Sequence, residues 1–109
     1  MDKIVLMKKS NYESIINQGD KLILVDFFAD WCGPCQALNP VLQRIAKENT
    51  NKLSVIKINI DKNPALATNL GVRSVPNLLL YRNGKIVWRQ AGSKPYHELN
   101  SELKVFINR

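Results

Sequence analysis

Two rhythms of apolar and polar positions alternate along this chain. Short runs with the period of a strand are separated by stretches in which apolar residues recur every three or four positions, as on one face of a helix. Lys3-Ile4-Val5-Leu6-Met7 reads as a short first strand. Ser10 and Glu13 have the spacing of a capping box at a helix start, with Tyr12, Ile15 and Ile16 on the inner face and Gly19 past the end. Leu22 to Ala29 is apolar on both alternating faces except at Asp26, the mark of a central strand covered from both sides. From Pro34 the helical period returns at Leu38, Val41, Leu42, Ile45 and Ala46, and runs back to Cys35; Pro40 inside it predicts a kink. Leu53 to Ile60 is a second strong strand, and Asn63-Pro64 reads as a cap and first residue of a helix with Leu66 and Leu70 inward and Gly71 closing it. After a connection over 72–76, strands at 77–81 and 85–90 are joined by Asn83-Gly84, a two-residue hairpin signal. Gly92 ends the second of these, and a last helix turns Leu99, Leu103, Phe106 and Ile107 inward. The order βαβαβαββα predicts an α/β protein: a mixed, parallel plus antiparallel sheet with helices on both faces.

Composition narrows this picture. At 109 residues and 45% hydrophobic content, the chain (1–109) suits one domain with one core, without linkers or repeats. Ile4 to Met7 is too short for a signal peptide's apolar region or a membrane span, so the sequence reads as cytoplasmic. The formal charge is +7, but the sixteen Lys and Arg are scattered, and Lys8-Lys9 is the longest basic run. That reads as a solvated surface rather than a nucleic-acid face, which wants a clustered patch.

The candidate chemistry lies in Trp31-Cys32-Gly33-Pro34-Cys35, which holds the only two cysteines at a strand-to-helix junction. Two cysteines are too few for a disulfide scaffold. Thiolates attack disulfides, and unpaired N–H groups with the positive end of a helix dipole would favour ionised Cys32. Cys32, just before the first turn, is expected to be reachable from solvent, with Cys35 on the buried helix face to resolve a mixed disulfide. Pro34 suits the first helical position, and Gly33 allows close approach. The competing reading is half a zinc site, but beyond the cysteines only His97 and carboxylates could complete it. Asp26, a lone carboxylate in an apolar strand, should have a raised pKa and could act as base for Cys35; alternatively it is structural, tied to a backbone group or to Lys57. Trp31 is expected to be exposed beside the thiols as a contact for polypeptide substrates. Trp88 reads as packing, His97 as an ordinary helix residue, and Tyr12, Phe27 and Phe106 as core.

These residues strongly resemble the thioredoxin family over essentially the whole chain, through Val25-Asp26-Phe27, the five-residue thiol motif, Pro40, Lys57, Asn59-Ile60-Asp61, Val75-Pro76 and Asn83-Gly84. The resemblance implies a thioredoxin fold, a five-stranded sheet flanked by four helices, and reduction of protein disulfides without a cofactor or metal. It implies Cys32 as attacking thiol, Cys35 as resolving thiol, Asp26 as buried base, and Gly33-Pro34 as tuners of redox potential. It also implies a cis Pro76 facing the thiols, with Val75 offering backbone to a substrate strand and Gly92 completing the substrate surface. The implied partners are disulfide-containing proteins and a flavoprotein of the thioredoxin-reductase kind, the protein itself a monomer with no membrane or nucleic-acid role. Gly33-Pro34 argues against an oxidase or isomerase, which more often has His before the second cysteine; a docking or processivity subunit with incidental redox activity is the alternative class. Phe28, Gln36, Asn77 and Ser93 depart from the commonest family residues (Trp, Lys, Thr and a small apolar residue), and bear on the potential and the partner surface.

Overall fold

A computed structural model describes the backbone of residues 2–4 and 9–109, and side chains from residue 11 onward. Its elements run β1 (Asp2–Ile4), α1 (Lys9–Ile16), β2 (Leu22–Phe28), α2 (Gly33–Glu48), β3 (Leu53–Asn59), α3 (Pro64–Asn69), β4 (Asn77–Arg82), β5 (Lys85–Ala91) and α4 (Tyr96–Ile107). The five strands form one sheet in the order β1-β3-β2-β4-β5. β1 and β2 both pair with β3 in parallel, whereas β2–β4 and β4–β5 are antiparallel. The mixed α/β sheet is therefore the one the pattern predicts, with the hydrophobic β2 at its centre.

Because strand side chains alternate, β2 supplies both halves of the core. Leu22 and Leu24 pack with Leu38, Leu42 and Ile45 of α2 and Leu99 and Leu103 of α4. Ile23, Val25 and Phe27 pack on the other face with Tyr12 and Ile16 of α1 and Ala67 of α3. Each such fully buried side chain contributes about 1.5–3 kcal/mol of apolar burial. Leu66, Leu70 and Phe106 sit at the margins of these clusters, half-buried.

Several local expectations change. α1 begins at Lys9, which puts Ser10 inside its first turn rather than at the cap. Val5 to Met7 of the expected first strand lie outside the described residues. Asn63 does stand at the start of α3, but its amide donates back to the Asn59 carbonyl at 3.0 Å instead of capping the helix. Asn83 (φ 53°) and Gly84 (φ 79°) are both left-handed, as a tight primed hairpin turn requires. Pro40 lies inside α2, where the helical period places it. Among the described residues no helix is long and apolar enough to cross a membrane.

Candidate active site

The parallel strand β2 delivers its carboxyl end to Ala29 and the loop before Cys32. Antiparallel β4 begins beside it, at Pro76 and Asn77. Ligand sites in open α/β sheets gather at this end of the strands. Cys32 is the N-cap of α2, with extended backbone at φ −91° and ψ 107°, and Gly33 and Pro34 occupy the first turn. Pro34 thus falls at the second helical position rather than the first; its missing N–H costs nothing at either, since neither has an intrahelical partner. Gly33 and Pro34 are both exposed.

Cys32 and Cys35 are joined in a disulfide, their Cα atoms 5.3 Å apart. The backbone N–H of Cys35 donates to Cys32 Sγ at 3.1 Å. The sulfur thereby takes the place of the side-chain oxygen that normally caps a helix. Both cysteines are buried, Cys32 only 4% exposed, in a small cluster with Phe28 and Ala29 against which Ile60 and Val75 pack. The solvent access expected for Cys32 is therefore absent in the disulfide form, where the residue packs in this cluster. What remains exposed is Trp31, at 70%, with its indole N–H donating to the Asp61 carboxylate at 2.8 Å. Asp61 is held in turn by Asn59, whose side-chain oxygen accepts its N–H at 2.9 Å.

The Val75–Pro76 peptide is cis. Pro76 is buried and Val75 half-buried against the thiol cluster. Gly92 (φ 88°) donates its N–H to the Pro76 carbonyl at 2.8 Å, which ties the end of β5 to the cis loop. Asn77 is also buried.

Asp26 has no exposed surface, and neither carboxyl oxygen has a hydrogen-bond partner among the described residues. It shares the α2-covered face of β2 with Leu24 and Phe28, and pairs in register with Lys57 on β3 and Leu78 on β4. Burial raises its pKa to about 6, against a smaller lowering by Lys57. Lys57 is thus a register neighbour, but its ammonium donates to Asn39 Oδ1 on α2 and lies 4.5 Å from the Phe28 ring centroid. Sequence reasoning missed Asn39 and Asp61: each is a polar residue whose role depends on what the fold sets opposite it. Trp88 is half-buried on the α4 side, donating to Glu102 at 3.3 Å, and His97 is exposed. Among the described residues no three His, Cys, Asp or Glu converge on a metal position.

Comparison with known proteins agrees with this geometry. The family model described as Thioredoxin matches residues 3–105. The chain belongs to the thioredoxin family. It is 39% identical to thioredoxin of Haemophilus influenzae over 109 residues, all of this chain and 98% of that one. It is 40% identical to thioredoxin of Alicyclobacillus acidocaldarius over 94 residues, covering 86% and 89% of the two chains. A solved mutant thioredoxin from Halobacterium salinarum superimposes with a TM-score of 0.84 at 33% identity, over 97% of this chain and 91% of that one. With the disulfide at its Cys-Gly-Pro-Cys site, this thioredoxin-family chain is a thiol–disulfide oxidoreductase.

Proposed function

We propose that the protein works in the reducing direction, as a single domain over 1–109, with Cys32 as the attacking thiol. The Cys32 thiolate attacks one sulfur of a substrate disulfide; a Cys32–substrate disulfide forms and the other substrate sulfur leaves as thiolate. Cys35 then gives its proton to the Asp26 carboxylate and attacks Cys32 Sγ, and the second substrate sulfur leaves as thiolate. Two electrons pass from the dithiol to the substrate, and Cys32–Cys35 is left as the disulfide. A flavoprotein reductase would return two electrons and complete the cycle. The observation that carries the assignment is Cys32 Sγ at the helix N-cap, accepting the Cys35 N–H at 3.1 Å. That contact, with the dipole behind it, favours a charged sulfur there over a neutral one.

Asp26 suits the base role because a carboxyl poised near 6 is largely ionised at pH 7 yet basic enough to accept a thiol proton. Trp31, Val75, Pro76 and Gly92 form the ground on which an extended substrate strand would lie, and Gly33-Pro34 would set the potential. In this reading the protein would act as a monomer in the cytoplasm on disulfide-containing proteins.

Insulin reduction by the parent and by Cys32→Ser and Cys35→Ser variants tests the assignment. Cys32→Ser should lose turnover altogether, and Cys35→Ser should stall as a mixed disulfide visible by mass spectrometry. Full turnover in both variants would instead favour a docking role for the fold.

A further inference from the structure

Asp26 and Lys57 lie directly opposite each other on neighbouring parallel strands, on the face covered by α2 and α4. Adjacent strands are about 4.8 Å apart, so a lysine's four methylenes are long enough to set its ammonium on the carboxyl. In so dry a place the attraction between the two charges would be strong. Yet the Asp26 oxygens accept no hydrogen bond from any described residue, and the ammonium is turned toward α2. There it donates to Asn39 Oδ1 and stands 4.5 Å from the centre of the Phe28 ring, close enough for a cation–π contact. Asn39 lies four residues after Cys35, one helical turn along, and is half-buried.

We propose that Asn39 is a positioning residue that holds the Lys57 ammonium away from Asp26 and so keeps the buried carboxyl free to exchange a proton. The other neighbours cannot take over that task. β4 sets apolar Leu78 opposite Asp26, and α4 brings Leu99 and Leu103 to this face. Among the described residues, Cys35 on α2 and Tyr96 on α4 are further ionisable groups at this face, β1 sets Lys3 in register with Lys57, and Asp30 lies exposed beyond the end of β2. If the ammonium closed on Asp26, the carboxylate would be stabilised as an ion and become a weaker base. An amide oxygen at Asn39 competes for the ammonium without adding a charge, which a carboxylate there would do. The inference rests on the reading of Asp26 as the base for Cys35.

The test is a double-mutant cycle on the reduced protein, in which the Asp26 side-chain carboxyl is titrated by 13C NMR. Asn39→Leu should lower the Asp26 midpoint by about one unit, as a newly approaching opposite charge does. Lys57→Met should raise it. In the Lys57→Met background, adding Asn39→Leu should produce no resolvable shift, since Asn39 acts only through the ammonium. In stopped-flow measurements, the acid limb of the Cys35 resolving step should move with the NMR midpoint in each variant. An Asp26 midpoint that is unchanged or raised in Asn39→Leu overturns the proposal, as does a shift that persists without Lys57. Failure of the underlying reading has a different signature. Asp26→Asn would resolve the mixed disulfide at the parent rate, while the NMR cycle on the other variants kept its pattern.

Discussion

Burying an unpaired carboxyl at Asp26 has a thermodynamic consequence that can be measured apart from catalysis. Its pKa rises from 3.8 to about 6 on folding, chiefly through desolvation. The folded state therefore binds more protons than the unfolded one between those values, and stability falls as pH rises through that window. The penalty is complete above pH 6 and disappears below about pH 4. Two units correspond to roughly 3 kcal/mol. Asp26→Asn should accordingly stabilise the disulfide form by up to that amount at pH 7.5 and hardly at all at pH 4, as read from urea unfolding at the two pH values. The same variant should slow resolution of the mixed disulfide at pH 7 while sparing the first attack by Cys32. The sequence exposed Asp26 because a lone acid breaks an otherwise apolar strand. It placed Lys57 beside Asp26 through their shared strand face, but that face could not reveal that a helix supplies an acceptor for the ammonium.

At the scale of elements, the parts that depend on neighbouring residues were legible. The apolar stripe of α2 and the two-faced strand β2 follow directly from spacing, and Asn83-Gly84 specified its turn through the left-handed conformations it tolerates. Gly84→Ala should cost about 1 kcal/mol in a thermal or urea melt, because a Cβ disfavours its φ of 79°. Little of this cost is steric, since the added Cβ would meet Asn17 atoms no closer than 3.5 Å. Caps were read less well. Ser10 and Asn63 have capping side chains, but the helix begins earlier in one case and the carbonyl of Asn59, four residues back, takes the amide in the other. Cys32 is the reverse, a residue with no usual capping propensity whose sulfur fills the role.

Across the whole molecule, charges that are dispersed in sequence become neighbours. Lys21, Lys47, Lys52, Arg82, Lys104 and Arg109 line two adjoining clefts that share Asn51, Lys52 and Ile107, with Asp20 and Glu48 as their carboxylates. These residues flank the starts of β2 and β3 and the ends of β4, α2 and α4, so they occupy the end of the sheet away from the thiols. The scattered basic surface read from the sequence is thus gathered in part at one pole. Like charges so placed repel one another at low ionic strength and are screened by salt. Lys52→Glu should raise the melting temperature by a few degrees in dilute buffer, with the gain shrinking in 0.5 M salt, and should leave insulin reduction unchanged. The sequence by itself determined the order of elements, the central strand, the thiol pair and the buried acid, because each is written in spacing or in a residue that violates its local pattern. Only the tertiary structure decided which acceptor holds Lys57, that Asp61 supports Trp31, that Cys32 is buried in the disulfide form, and where the positive charge collects. The first two depend on contacts between residues 18 and 30 positions apart, which arise from packing rather than from local spacing.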